Sequence, residues 1–470
     1  MENPPQNKMG VVPVKKLMLA MGLPMIASMA LQAFYNIVDS YFVSRMPDTA
    51  GLSGLGEYGM NALTLAFPVQ MLMIAIGVGT GVGINALLSR SLGQGNRQKA
   101  SQIAGNAIFL GLCTYAVFLL VGLFGVKAYL RSQTADPVVL QMGAEYLGIC
   151  TTLSFGAILS MIYEKLLQGT GRTIPSTIAQ LAGAAINMAL DPILIFGWLG
   201  CPALGVRGAA YATVIGQVAT LVISAAFHHT HTQDLDVGLA YLKPSRAVIR
   251  EIYQIGLPAI VMQALMSFMT YGVNIIFGQI SSAVVTAYGV YYKIQQFVFF
   301  AAFGMNNALI PIIGFNYGRK DKRRAREGVK YGMIYTLVIM AAGAVLLQVF
   351  AGRLMGAFAL AEGTIRLCVT AVRIITLGYL FAGANIAFQG IFQAFGSGMR
   401  SLVVSLLRLI IIALPVALLF AALQNAENIV WWAFPIAEAC SLVVAVFLMR
   451  GIAKEKIATL GSDSLRAAAV

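Results

Sequence analysis

A carboxylate inside a long apolar stretch is the first feature of this sequence that could do chemistry. Asp39 lies within residues 17–46, and Gln32, Tyr35 and Asn36 precede it at three- and four-residue spacing. This spacing places the four polar side chains on one face of a helix. About 20 apolar residues cross a bilayer as a helix, and an acid within such a helix costs free energy. This face therefore predicts a functional site that is turned toward protein or water.

A second acid lies in another apolar stretch of the same half of the chain. Asn187 and Asp191 are four residues apart and share a helix face, and Pro192 follows directly. Counted at about 1.5 Å per residue, Asp39 and Asp191 reach a similar depth in the outer half of the membrane. Two such carboxylates suit a shared proton or a hard cation such as Na⁺. The alternative is hydrogen bonding for packing only, but two acids without a base in their own half favour the cation site.

The second half of the sequence carries a different set of intramembrane charges. Lys293, Arg373 and Glu438 all lie in the outer half of their apolar stretches, and a charge pair or triad around Glu438 would stiffen this half. The other interpretation is a path for a substrate. The polar residues that would line this path are Gln32, Tyr292, Lys293, Gln296, Arg373 and Glu438.

Composition defines the class of protein. Hydrophobic residues make up 59% of the 470 residues and charged residues 11%, whereas soluble domains carry about 25% charged residues. An all-α polytopic membrane protein is predicted. The net charge of +14 follows the membrane topology, so no nucleic acid partner is expected. No nucleophile–base pair, nucleotide-binding lysine loop or hydrolase motif is visible, so the chain is predicted not to be an enzyme and to need no cofactor.

Cysteine and histidine add little to this picture. The five cysteines are scattered and have no ligand spacing, which argues against disulfides and zinc. His228, His229 and His231 form a short cluster in a polar stretch. Such a cluster is usually solvated surface, and a metal site there is the minor alternative.

The alternation of apolar runs and polar breaks predicts twelve membrane spans. A strong bias of positive charge then orients them, with 24 Lys and Arg residues on one side and 6 on the other. The positive-inside rule places both termini in the cytoplasm. The predicted spans are 17–43, 58–89, 100–126, 138–166, 175–199, 207–227, 251–280, 284–314, 329–351, 364–394, 401–424 and 429–450.

The sequence is also duplicated. Gly22-Leu23-Pro24 returns as Gly256-Leu257-Pro258, 234 positions later, and the junctions at 91–100 and 166–171 return 225 positions later. Two parallel six-helix lobes follow, the arrangement in which transporters commonly hold their substrate path. The predicted parts are an N-terminal tail (1–16), an N-lobe (17–227), a linker (228–250), a C-lobe (251–450) and a C-terminal tail (451–470).

Several motifs together carry a family resemblance. They are the twelve-span repeat, Gly22-Leu23-Pro24, Tyr35-Asn36-x-x-Asp39, Asn187-x-x-x-Asp191-Pro192, GAAYAT at 208–213, KIQQF at 293–297 and the basic loop after Gly318. Over essentially its whole length the sequence resembles the MATE (multidrug and toxic compound extrusion) family, in its bacterial multidrug branch. The resemblance implies a V-shaped, two-lobed transporter whose first helix bends at Pro24. It also implies that Asp39, Asn187, Asp191 and Thr213 form a cation site, with Tyr35 beside them.

The function that this resemblance implies is export of organic, often cationic, compounds in exchange for H⁺ or Na⁺. The C-lobe acids of some sodium-coupled members have no matching motif here, which moves the expected coupling site to the N-lobe. Expected partners are small-molecule drugs and the lipid bilayer of a bacterial cytoplasmic membrane, and a monomer suffices. The alternative is a flippase for lipid-linked oligosaccharides or envelope precursors, which needs a basic groove. Lys293 and Arg373 are the only intramembrane bases that the sequence offers for it.

Overall fold

The computed structural model describes residues 7–47, 54–231, 234–236, 238–356 and 361–460. Within these ranges the regular structure is helical and contains no strand. The long helices are α1 Val14–Ser44, α2 Leu55–Gly93, α3 Arg97–Gln133, α4 Pro137–Thr152 with Phe155–Gly169, α5 Thr173–Phe196, α6 Val206–His231, α7 Arg246–Ile280, α8 Ser282–Gly318, α9 Lys322–Gly356, α10 Glu362–Ala394, α11 Gly398–Ala421 and α12 Ala426–Ile457.

The predicted twelve spans are confirmed. In the described chain, eleven helices are each long and apolar enough to cross a membrane, and the two parts of α4, bent by 44°, together make the twelfth. The helices extend beyond the apolar runs that predicted them. For example, α9 begins at Lys322 rather than near 329, because the Asp321 carboxylate accepts a hydrogen bond from the Arg324 N–H at 2.9 Å and caps the first turn.

The predicted division into two six-helix halves is visible in the helix bounds. Helices α5 and α11 are both 24 residues long and lie 225 positions apart at both ends. In the predicted linker, α6 continues to His231 and α7 begins at Arg246, and a short turn at Leu239–Leu242 lies between them. We refer to α1–α6 as the N-lobe and to α7–α12 as the C-lobe.

The two lobes pack together at the membrane side that holds Asn7, the 238–245 segment and Leu460, here called the tail side. Lipid is as apolar as leucine, so close packing and small residues hold membrane helices together. A Cβ added at Gly83 of α2 would lie 2.2 Å from the carbonyl oxygen of Ile252 in α7. A Cβ at Gly304 of α8 would lie 2.8 Å from the Ile26 backbone of α1. Each close approach therefore requires glycine.

The opposite side of the bundle is organised differently. There the N-lobe has its own apolar core, which contains Val43 and Tyr146. The C-lobe has a separate core, which contains Tyr288 and Trp431. On the tail side, by contrast, two cores draw buried residues from both lobes. One contains Met21 and Ile312, and the other contains Leu88 and Ile252. Two lobes that are joined at one side and carry separate cores at the other form the expected V.

Candidate cation site and substrate path

Three N-lobe helices bring the predicted cation ligands together. Helix α1 carries Tyr35 and Asp39 and packs against α5, which carries Asn187 and Asp191. Helix α5 in turn packs closely on α6, where Gly216 lies against the Asn187 side chain. The Asn187 Nδ2 donates a hydrogen bond to the Thr213 Oγ1 at 3.4 Å. The geometry thus places residues that are more than 150 positions apart in sequence at one site.

Four buried oxygens of this site lack hydrogen-bond partners in the described structure. Asp191 is fully buried, and neither of its carboxylate oxygens accepts a hydrogen bond. One oxygen of Asp39 and the amide oxygen of Asn187 are also buried and without a partner. Buried polar atoms are normally satisfied, and leaving them unpaired costs free energy. Carboxylate, amide and hydroxyl oxygens are the ligands that hard cations prefer, so these residues fit a small cation.

The charges at the site act on one another. The Asp39 carboxylate interacts electrostatically with Asp191, and both acids interact with the Tyr35 side chain. In the described chain, no lysine or arginine forms a salt bridge with either acid. Two neighbouring carboxylates without a basic partner repel each other, and a proton or a metal cation relieves that repulsion.

Three residues that the sequence analysis did not assign to this site, Tyr146, Gln70 and Cys150, complete the surroundings of Asp39. The Tyr146 ring of α4 is buried, and its hydroxyl accepts a hydrogen bond from the Gln70 Nε2 of α2 at 3.4 Å. The Asp39 charge acts on Tyr146 and on Cys150, one turn further along α4. The sequence offers one signal for this group of residues, since Gln70 is an amide within an apolar run, two positions after Pro68.

The other candidates on α1 are less well defined by contacts. Gln32 is half-buried, and the Asn36 side chain lies outside the described part of the structure. Pro24 lies inside the continuous helix α1. Because proline has no N–H, α1 lacks one backbone hydrogen bond at this turn, which is a position where a helix bends readily.

In the C-lobe the predicted charge pair around Glu438 is present, but its basic partner is neither Lys293 nor Arg373, so the predicted partners are wrong. Its partner is Arg408 of α11, whose Nη2 lies 2.5 Å and whose Nε lies 2.9 Å from the Glu438 Oε1. Asn385 of α10 donates to the Glu438 Oε2 at 2.8 Å. The charge count places Arg408 among the 24 positive residues of the larger group, yet only 7% of its side chain is exposed. Arg408 lies ten residues beyond the start of α11, where neighbouring helices cover it.

The remaining C-lobe candidates lie apart from this pair. Lys293 and Arg373 are exposed, and neither makes an ion pair within the described ranges. Tyr292 and Gln296 are half-buried, and the Tyr292 ring lies 5.9 Å from that of Tyr288. The place of these residues on a substrate path stays a prediction.

The histidine cluster lies on a helix rather than in a polar loop. His228 and His229 belong to α6, and His228 is buried, with its ring edge-on to Tyr163 at a centroid distance of 5.4 Å. The prediction of solvated surface is therefore wrong for His228. The side chain of His231 is outside the described residues. Among those that are described, no group of three His, Cys, Asp or Glu side chains could hold a metal ion.

Twelve crossing helices in two repeated lobes, with a buried acidic site in one of them, define a membrane transporter. Comparison with known proteins identifies its family. The chain belongs to the MatE family, whose sequence model matches residues 24–193 and 258–419. The resemblance to MATE transporters is confirmed.

Relatives and solved structures agree with this assignment. The chain is 26% identical to the multidrug export protein MepA of Staphylococcus aureus strain MRSA252 over 440 residues, covering 93% of this chain and 94% of the relative. It is 25% identical to MepA of Staphylococcus saprophyticus over 439 residues, with the same coverage.

Two solved structures share the fold. One, described as the outward-facing conformation of a multidrug resistance MATE family transporter of the MOP superfamily, has a TM-score of 0.89 at 22% identity and covers 98% of this chain and 99% of its own. Another, described as MATE in the bent conformation, has a TM-score of 0.88 at 23% identity and covers 99% and 100%. At these identities the similarity shows the fold alone.

Proposed function

We propose that this protein is a secondary antiporter that exports small organic compounds, often cationic, in exchange for H⁺ or Na⁺. Relatives that are named multidrug export proteins and that align over 93% of the chain support the export of such compounds. The observation that carries the coupling is the Asp39–Asp191 pair, whose buried oxygens have no hydrogen-bond partner in the described structure. We propose Asp39, Asn187, Asp191 and Thr213 as the ligands of the coupling cation.

Helix α1 connects this site to the contact between the lobes. Its tail-side part packs on α8, where Gly22 lies against Met305 and Ile26 lies against Gly304. Its other end carries Asp39 into the N-lobe. A change of charge at Asp39 therefore acts on a helix that belongs to both the site and the interface. Pro24 lies within the tail-side part of α1, between Gly22 and Ile26, and gives the helix a position at which to bend.

The proposed cycle follows from this connection. Cation binding at the N-lobe site repacks α1 while the lobes are open on the side opposite the tails. This change lowers the affinity for the drug, and the drug leaves. The lobes then rock, and the cation is released on the tail side. Coupling requires that the affinity for the cation, for the drug or for both differs between the two states.

The orientation belongs to the same proposal. The bias of 24 positive residues against 6 favours a cytoplasmic tail side in a bacterial cytoplasmic membrane. Arg408 and Lys165 are buried, and the bias remains large when both are left out of the larger count. One chain contains both lobes, so a monomer can complete the cycle.

The experiment is gradient-driven transport of ethidium in proteoliposomes or inverted vesicles. Either a proton gradient or a sodium gradient is imposed on the native chain, Asp39→Asn and Asp191→Asn. Glu57→Gln, an exposed acid in the first turn of α2, is the matched control. Transport that is driven by one gradient, lost in both aspartate variants and kept in the control supports the proposal and identifies the ion. Transport that survives both substitutions contradicts it, and lipid translocation without drug transport would favour the flippase.

A further inference from the structure

The Arg408–Glu438 pair is a charge arrangement that the proposed coupling mechanism does not use. The pair lies inside the membrane between α11 and α12, with 7% and 14% of the two side chains exposed. Both guanidinium donors bond to the Glu438 Oε1, and Asn385 donates to the Oε2. Removing two charges from water is expensive, so a buried pair is weak evidence for a purely stabilising role.

The internal repeat relates Glu438 to the cation site of the other lobe. The spacing of 225 that relates α5 to α11 places Glu438 at the position of Thr213. The residue before each is a buried alanine, Ala212 in the N-lobe and Ala437 in the C-lobe. The C-lobe therefore has a carboxylate at the place where the N-lobe has a hydroxyl ligand.

In both lobes this position accepts a hydrogen bond from the preceding long helix, although the repeat places Ile412, and not Arg408, at the position of Asn187. In the N-lobe, Asn187 of α5 donates to Thr213 of α6. In the C-lobe, Arg408 of α11 donates to Glu438 of α12. The repeat places Val416 of α11 at the position of Asp191. Helix α11 therefore has no acid at that position and carries the guanidinium of Arg408 nearby. Each lobe thus has a carboxylate near the corresponding place. In the C-lobe the Arg408 side chain supplies the positive charge, whereas in the proposed N-lobe site the bound cation supplies it.

The backbone of α11 is altered where Arg408 emerges. Residues Leu407–Ile411 form a π-helical turn, and the Ile412 N–H donates to the Leu407 oxygen at 3.0 Å. Such turns insert a residue into a helix and frequently mark functional sites. Helix α5 has no such turn between Thr173 and Phe196.

We propose that Arg408 is a tethered cation that occupies the C-lobe counterpart of the coupling site and prevents Glu438 from binding the coupling ion. Resting on the proposed N-lobe coupling, this assigns the ion exchange to one lobe and fixes one coupling site per chain. The charged or titratable groups that act on Glu438 in the described structure are Arg408 of α11 and Tyr291 of α8. With a neutral residue in place of Arg408, Glu438 would face the membrane interior with no positive partner, as Asp191 does.

The test is performed in the full chain with Asp39→Asn and Asp191→Asn, which removes the N-lobe acids. Equilibrium binding of ²²Na⁺ is measured at alkaline pH on purified protein in lipid nanodiscs, and proton uptake is measured after a pH jump without sodium. Arg408→Met in this background is expected to gain about one cation per chain. Adding Glu438→Gln is expected to remove it, and Arg408→Lys, which keeps the tethered charge, is expected to gain none.

Two results would overturn the assignment. One is a folded, monodisperse Arg408→Met chain that gains no cation, or a gain that persists with Glu438→Gln. The other does not depend on the folding of Arg408→Met, since it uses the background chain with Arg408 intact. Cation binding in that chain that is lost with Glu438→Gln would show that Arg408 does not block the site. Failure of N-lobe coupling is scored separately, by gradient-driven transport that survives Asp39→Asn and Asp191→Asn.

Discussion

The Arg324 guanidinium of α9 donates a hydrogen bond to the backbone oxygen of Met9, 3.0 Å away, and another to that of Val12, 2.6 Å away. Asn316 of α8 donates to the same Met9 oxygen at 3.2 Å. Met9 is fully buried. Residues 7–12, which we call the N-terminal strap, are therefore bound to the C-lobe by their backbone and by one apolar side chain.

The strap also contacts the N-lobe. The Asn7 Nδ2 donates to the Thr170 oxygen at 3.1 Å and to the Asp234 carboxylate at 3.3 Å. The Met9 side chain lies against Gly171, at the tail-side end of α4. The strap thus crosses the tail-side contact between the lobes, and that contact must break when the tail side opens.

Arg324→Gln is expected to weaken closure of the tail side. A hydrogen bond to a charged group contributes about 1.5–3 kcal/mol, so losing it shifts the equilibrium between closed and open states by roughly 10- to 100-fold. Spin labels at the exposed positions Gln98 and Arg326, in a chain whose exposed Cys113 and Cys440 are replaced by serine, would report the tail-side separation. A longer distance population should appear.

Two further variants decide this prediction. Arg323→Gln removes an exposed arginine next to Arg324 and should leave the distances unchanged. Deletion of residues 7–12 should lengthen them at least as much as Arg324→Gln. Identical distance distributions in the native chain and in both strap variants would show that the strap does not hold the tail side closed.

The fold and the N-lobe site could be predicted because each leaves a local signal in the sequence. An apolar run of span length marks a membrane helix, and Asp39 or Asp191 is conspicuous within such a run. The spacing of Asn187 and Asp191 then fixes their shared face. These inferences need only the periodicity of one helix.

The C-lobe site could not be predicted, because its partners are chosen by packing between helices. Arg408 and Glu438 are 30 residues apart and meet only because α11 and α12 adjoin. The sequence places Lys293 in the outer half of the membrane, as it does Glu438, yet the Lys293 side chain is exposed and does not pair with Glu438. His228 shows the same limit, since a polar sequence neighbourhood gave no indication that Tyr163 of another helix covers it.

Gly83→Ala is expected to slow export by pushing α2 away from α7. Its Cβ would overlap the Ile252 carbonyl oxygen, and a backbone atom cannot move aside as a flexible side chain can. The measurement is the initial rate of ethidium transport, together with the tail-side spin-label distances. Gly148→Ala on α4 is the matched control, since a Cβ there meets nothing within 4 Å. Native rates and distances in Gly83→Ala would show that the lobes tolerate a wider contact.

Thr213→Val is expected to lower the affinity of the N-lobe for the coupling cation without removing it. The valine has nearly the same shape but cannot accept the hydrogen bond of Asn187, whose amide is then left unsatisfied in a buried place. Loss of one neutral hydrogen bond costs about 0.5–1.5 kcal/mol, which corresponds to roughly a 2- to 12-fold higher half-saturating ion concentration. Transport measured against ion concentration gives this value. Thr114→Val on α3, where the hydroxyl bonds only within its own helix, should leave it unchanged.

Pro24→Ala is expected to reduce the rate of export while leaving cation binding intact. Alanine restores a backbone N–H inside α1, which can then donate to the oxygen of Ala20 and stiffen the helix where it packs on the other lobe. Cation binding to purified protein should match that of the native chain, and the rate of ethidium transport should fall several-fold. Pro415→Ala, an exposed proline within α11, removes an intramembrane proline away from this connection and should preserve both. If Pro24→Ala transports at the native rate, bending of α1 at this turn is not a step of the cycle, and the cation site must act on the interface through α5 and α6 instead.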